Sequence, residues 1–273
     1  PRSQTVAGKL VDAAEKTGKL RAFSNTAAKS LIVENGRIKG VVTHRGTIKA
    51  DHVIVCAGIW GRLIAEMVGE DLPVMPVDHP LTFFGPFNEF AGTGKEIGYP
   101  LLRDQGNSAY MRDTGDPKTT EGGQIEWGYY ETDNPRLCHP RDILEKHQAR
   151  LSPSQRDLDM EQIIEPLERA IELTPILGEI GYNESHSFNG LLQVSAAGGP
   201  SCGESQKVRG LWYCVAIWVK DGPGYGKLIA DWMTDGRTEI DHNSIDYSRF
   251  YQHQLDEAFI EVRTREAAQK IYY

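Results

Sequence analysis

The sequence predicts a mixed α/β protein, a layer of helix and sheet interrupted by an inserted lobe of antiparallel sheet. Three observations carry this. The run His52-Val-Ile-Val-Cys56 is apolar almost throughout, ends in Ala57-Gly58 and leads into a helical pattern at 63–68; a strand without alternation reads as buried on both faces, as in a parallel sheet. A second apolar run, 210–219, passes through a glycine-rich turn into a helix from about Tyr225 to Met233. Between the two, from Pro73, the chain changes to short strands and turns followed by helices, a stretch long enough to form a lobe of its own.

The elements follow in order. Residues 4–17 set Val6, Leu10, Val11 and Ala14 at helical spacing, with Gly18 as the stop. Short β-runs at 31–33 and 38–42 flank Asn35-Gly36, the strongest two-residue hairpin signal. A second turn at Arg45-Gly46 leads to a third strand, so the meander precedes the buried strand at 52–56. In the lobe, 108–112 and 124–129 read as strands. Residues 141–178 read as helical, with Asp157, Asp159 and Glu161 near a helix start, where negative charge is favoured. Strand-like pieces return at 184–188 and 191–194, and beyond Gly236 the pattern turns polar and aromatic. No internal repeat is present.

Composition bounds the function. At 273 residues the chain holds one or two domains by a prior of ~150 residues each. With 40% hydrophobic and 25% charged residues it is globular. A net charge of −8 is the wrong sign for wrapping nucleic acid or coating an anionic membrane. No apolar run approaches the ~20 residues of a membrane span. Four cysteines lack C-x-x-C spacing and are too sparse for a disulfide framework, which points to a reducing compartment, with Cys56 and Cys214 as buried thiols. His139 and His186 form no ligand set with them, so no metal is expected. The chain opens at Pro1 and runs straight into a helix, which reads as a piece of a longer chain.

Two strand-to-helix junctions carry the best chemical signal. Small residues at Ala57-Gly58 let the backbone approach a ligand closely. Lys220-Asp221-Gly222-Pro223-Gly224 opens a helix whose N–H groups favour negative charge. This turn is not the dinucleotide fingerprint, and no G-x-G-x-x-G occurs anywhere in the chain. Both junctions read equally as tight turns. His79, in Pro76-Val-Asp-His-Pro80, and Tyr110, in Ser108-Ala-Tyr-Met-Arg112, read alone as a structural histidine and a packing aromatic, with a site role as the alternative.

Taken in order, the motifs are more specific. The helix at 4–17, Asn25-Thr26 with the hairpin at 32–38, and Gly46-Thr-Ile-Lys-Ala-Asp-His-Val-Ile-Val-Cys-Ala-Gly-Ile-Trp60 resemble the amino-acid-oxidase-like family of FAD-dependent oxidoreductases. So do 73–79, 102–104 with 110–112, and 187–192 with 198–203. Within that family the chain is most similar to the branch of dimethylglycine oxidase, dimethylglycine dehydrogenase and sarcosine dehydrogenase. The resemblance covers about 1–238.

It implies a three-layer FAD-binding fold, incomplete and discontinuous here, over 1–74 and 185–238. The substrate lobe is then 75–184, and 239–273 lead into a following aminomethyltransferase-like module that binds tetrahydrofolate. Ala28, Ala57, Gly58, Trp60, Gly190 and the turn Lys220, Asp221, Gly222, Pro223 and Gly224 match cofactor-side positions. His79 and Tyr110 match the substrate side, where they would orient an amine and manage its proton. The implied function is oxidation of an N-methylated amine, such as dimethylglycine or sarcosine, by hydride transfer to FAD, feeding one-carbon metabolism in the cytoplasm or mitochondrial matrix.

The family's glycine-fingerprint unit is not among these residues, so the chain by itself is expected to hold no complete FAD and to be inactive. The open sheet edge this leaves beside 52–56 is expected to favour self-association. Lys220-Asp221 also replaces the Thr-His-Ser or similar usual at that turn. Two further readings stand beside the first: oxidation of another secondary amine or amino acid, and a catalytically inactive or regulatory protein on the same fold.

Overall fold

The computed structural model describes residues 3–92, 94–118, 122–147, 153–184 and 186–271. The chain forms two compact units, each assembled from two separate stretches: Pro1–Leu72 with Ser201–Phe250, and Pro73–Pro200 with Tyr251–Tyr273.

In the first unit, α1 (Ser3–Lys16) is followed by an antiparallel meander of β1 (Ala28–Glu34), β2 (Arg37–Thr43) and β3 (Gly46–Lys49). Asn35 and Gly36 both take positive φ, 50° and 71°, the geometry that a two-residue hairpin turn demands. Gly40 is needed for a different reason: a β-carbon there would collide with the Ile48 carbonyl on β3. The short strand β4 (Val53–Val55) then runs through a 3-10 turn at Gly58–Trp60 into α2 (Gly61–Glu66).

After the second unit, β10 (Ser201–Glu204) and β11 (Leu211–Val215) join β4 in a three-stranded sheet of order β10-β11-β4. The β4–β11 pairing is parallel, with Val53 opposite Leu211. Helix α5 (Gly222–Asp235) lays Leu228 and Ile229 against Cys202 and Ile245. Beneath the sheet, the carboxylate of Glu70 collects hydrogen bonds from Ser205 Oγ (2.6 Å), Lys207 N (3.1 Å), Tyr213 Oη (2.7 Å) and Tyr247 Oη (3.1 Å). Burial holds both tyrosine pKa values well above the usual phenol range.

Several expectations fail here. The run at 52–56 is not buried on both faces: Ile54 is 43% exposed, because β4 is an edge strand. Cys56, just past it, is exposed rather than a buried thiol, while Cys214 on the central strand is half-buried. The helix expected at 4–17 forms, but its apolar residues Val6, Leu10 and Val11 are exposed.

The second unit is built on an antiparallel sheet of order β6-β7-β8-β5-β9. Its strands are β5 (Val74–Phe84), β6 (Leu102–Asp104), β7 (Ala109–Asp113), β8 (Ile125–Tyr129) and β9 (Phe188–Ser195). The period of two sends Phe84, Met111, Ile125, Trp127 and Tyr129 to one face, where α4 (Met160–Leu173) covers them with Ile163 and Ala170. Helix α3 (Pro140–His147) precedes that helix, and α6 (Glu257–Ala268) packs Ala268 on Val77 and Val194.

The helical stretch expected over 141–178 is thus interrupted. Residues 148–152 lie outside the described set, 153–159 are irregular, and α4 starts only where Asp159 caps it, accepting a bond from Glu161 N at 3.0 Å. The unit boundaries also differ from those expected. Residues 185–200 stand with the lobe, because β9 pairs with β5 from Phe188 to Ser195. Residues 239–273 divide between the units at Phe250.

Candidate functional site

On the face of the lobe sheet turned away from α4, β5 presents His79. Directly opposite it on β9 is Gly190, and two residues along, Leu81 pairs with Gly128 of β8. Tyr110 on β7 is also in register with Gly128. The side chain of Tyr110 crosses the intervening strand, and its hydroxyl lies 2.9 Å from Nε2 of His79. The two rings are nearly parallel, 14° apart, with centroids separated by 5.9 Å. Tyr130 closes the third side, its ring 4.4 Å from that of His79 and 5.9 Å from that of Tyr110.

This packing fixes the state of the imidazole. His79 is 9% exposed, and burial pushes its pKa down to about 4. It is therefore neutral near pH 7, with one nitrogen bonded to Tyr110 and the other, Nδ1, buried without a protein partner. A neutral imidazole with a desolvated nitrogen beside a phenol hydroxyl can hydrogen-bond a bound ligand and orient its polar group, while its burial disfavours a positive charge there. Arg112 and Glu126, paired with each other, lie on the same face.

The sequence signals for His79 and Tyr110 thus converge on one place, and Gly190 belongs with them in the lobe. Tyr130 carried no signal of its own; only the strand register shows that it falls opposite His79.

The other residues singled out lie in the first unit. Ala28 begins β1 and is exposed at the edge of the meander. Ala57, Gly58 and Trp60 form the turn after β4, with Gly58 at φ 50° and open space where its β-carbon would stand. The neighbouring parallel strand β11 ends the same way: Ala216 takes φ 56° before the chain enters α5. Alanine is no turn residue, so nothing in the sequence flagged it. The carboxyl ends of two adjacent parallel strands, each turning into a helix, are where α/β sheets hold nucleotides.

At the start of α5, Asp221 is the N-cap residue but its side chain makes no capping bond. Added β-carbons at Gly222 and Gly224 would meet nothing within 4 Å. The helix start is thus without a side-chain cap and sterically open, and its N–H groups favour negative charge. Lys220 Nζ is turned onto the Asp221 carboxylate at 2.8 Å, so the two charges offset one another at the surface.

Comparison with known proteins shows the family. Residues 3–232 match the family model of FAD dependent oxidoreductases, and 235–273 match the FAD dependent oxidoreductase central domain. The chain belongs to the FAD-dependent oxidoreductase family. Human mitochondrial dimethylglycine dehydrogenase is 25% identical over 92% of this chain, which spans 28% of that relative. The regulatory subunit of mitochondrial pyruvate dehydrogenase phosphatase from mouse is 24% identical over 99% of the chain and 29% of the relative.

Among solved structures, L-proline dehydrogenase from P. horikoshii superposes with a TM-score of 0.65 at 20% identity, over 87% of this chain and 57% of that one. This FAD-dependent oxidoreductase chain therefore spans about a quarter of the length of the curated relatives it matches. No described helix is long and apolar enough to cross a membrane.

Proposed function

We propose that this chain is part of an enzyme that oxidises an N-methylated amine of the dimethylglycine or sarcosine kind. The observation that carries the reading is the neutral His79, bonded to Tyr110 and left with an unpartnered buried nitrogen. An alkylammonium cannot release hydride from its N-methyl carbon; the amine must first lose its proton. His79, uncharged near neutral pH and buried, offers the amine a neutral, desolvated surround that disfavours the ammonium form and a hydrogen bond that orients the neutral amine. Tyr110 fixes the orientation of the imidazole, and the Tyr130 ring packs against it. FAD, when bound, accepts the hydride. The residues of the first unit that would hold it are Ala57, Gly58 and Trp60 after β4, the uncapped turn at 220–224, and Ala28. The start of α5 supplies N–H dipoles toward charge that builds up there.

The relationship to a dimethylglycine dehydrogenase at 25% identity supports the substrate class without fixing the amine. The test is anaerobic flavin bleaching in the natural protein, with dimethylglycine, sarcosine and proline offered in turn. Bleaching by an N-methyl amine is expected; bleaching by proline alone moves the substrate to a cyclic secondary amine.

A second reading has its own support. The self-paired Lys220 and Asp221 at the helix start, together with the match to a phosphatase regulatory subunit over nearly the whole chain, favour a protein that keeps the fold without the reaction. A natural protein that takes up no flavin would establish it.

A further inference from the structure

We infer that Gly128 is a positioning residue: the absence of a side chain at this one point of β8 lets Tyr110 lie across the strand and reach His79. The catalytic half of this inference rests on the function proposed above; the geometric half does not.

Tyr110 and His79 stand on strands β7 and β5, with β8 between them. Neighbouring strands are ~4.8 Å apart, so the two side chains together must bridge about 10 Å, and the tyrosine does its share by lying across the middle strand. Gly128 is where it crosses. A β-carbon at 128 would stand 2.6 Å from Tyr110 Cε1 and nearer still to Cζ and Oη. The hydroxyl oxygen itself is one of the clashing atoms, so relieving the contact moves the group that bonds the imidazole.

The strand itself cannot retreat. Gly128 sits between Trp127 and Tyr129, which are 0% and 4% exposed in the core beneath the sheet. Strand β8 is paired on both sides, from Leu81 to Phe84 of β5 and from Ala109 to Asp113 of β7. Thr82 Oγ1 also ties down the Trp127 carbonyl at 3.1 Å. The mobile partner is therefore Tyr110. Lifting its ring by the width of a methyl group takes a 2.9 Å contact beyond hydrogen-bond range. Gly190, opposite His79, is a useful contrast: a β-carbon there would meet only ordinary contacts at 3.4 Å, so the strict requirement belongs to Gly128.

The experiment compares Gly128→Ala, Tyr110→Phe, Tyr110→Ala and the double variant Gly128→Ala/Tyr110→Ala in the natural protein. The imidazole nitrogens of His79 are read by NMR after histidine labelling. Gly128→Ala is expected to move the Nε2 resonance to the position seen in Tyr110→Phe, because both remove the same hydrogen bond. It should also lower turnover of the N-methyl amine by the same factor as Tyr110→Phe, with flavin content unchanged. Thermal stability supplies the rescue: the loss of Tm caused by Gly128→Ala should vanish when the tyrosine ring is absent.

A Gly128→Ala protein that keeps the wild-type His79 resonance overturns the inference. So does an equal loss of Tm in both backgrounds, which would place the role of Gly128 in its own backbone. If the single variant fails to fold, Tyr110→Ala against the double variant still decides. Unchanged turnover in Tyr110→Phe would remove the proposed chemistry while leaving the NMR and stability results to judge Gly128.

Discussion

The carboxylate of Glu70 accepts a 2.7 Å hydrogen bond from the hydroxyl of Tyr213, 143 residues further along the chain. Glu70 is 5% exposed, and the same carboxylate also receives Ser205, Tyr247 and the Lys207 amide. The loop after α2 is thereby tied to β11 and to the segment that ends the first unit.

Removing the acceptor strands several buried donors at once. Each costs about 1–3 kcal/mol when left unpaired, so Glu70→Ala should destabilise the first unit by about 3 kcal/mol or more, and Glu70→Gln by less. Urea unfolding measures this. A loss of under about 0.5 kcal/mol, the range of ordinary surface substitutions, would show that the cluster contributes nothing.

Acid should weaken the lobe through His79. Its folded pKa of about 4 lies below the unfolded value of 6.5, so the unfolded state binds more protons between these values. Stability from this group is complete above pH 6.5 and falls as pH drops toward 4, by about 3 kcal/mol in all. His79→Gln should remove this part of the pH dependence. Parallel stability–pH curves for the two proteins would contradict the assignment.

The same substitution tests the chemistry. In the natural protein His79→Gln should lower the rate of amine-dependent flavin reduction by about 10–10²-fold, the scale of a buried polar contact worth about 1–3 kcal/mol. Tyr110→Phe should fall in the same direction. Stopped-flow reduction at saturating amine separates this from weaker binding.

At the Asn35-Gly36 turn, Gly36→Ala places a β-carbon at φ 71° and should cost about 1–2 kcal/mol. Asn35→Gly should be close to neutral, since glycine takes the same conformation freely. Equal effects of the two changes on Tm would mean that the turn does not set the hairpin.

Much of this molecule was legible in its residues, and the exceptions have physical causes. Asn35-Gly36 announced its hairpin because few residue pairs accept two positive φ angles. The strand from Val53 to Val55 is legible but its burial is not: an apolar run reports the preference of a strand, while its place at the sheet edge is set by partners far away in sequence. Asp157, Asp159 and Glu161 mark a helix start, but which acidic residue caps is not legible from composition; in the structure Asp159 does. His79 and Tyr110 were recognisable by motif. Tyr130 and Ala216 were not, since one depends on register across β8 and the other on a backbone angle that alanine does not advertise.

Both compact units are assembled from stretches of chain that are not consecutive, and this orders their birth in time. The parallel pairing of β4 with β11 awaits residue 211, and the pairing of β5 with β9 awaits residue 188. On a ribosome, β4 leaves the exit tunnel with its mate still untranslated, and at about 5–20 residues per second that wait lasts for many seconds. Closing such long loops is slow even for a finished chain, because the distant contacts that reward closure come only after its entropy has been lost. The nascent protein therefore spends its early life with apolar strand edges uncovered, which makes it a natural client for chaperones that shield unpaired strands.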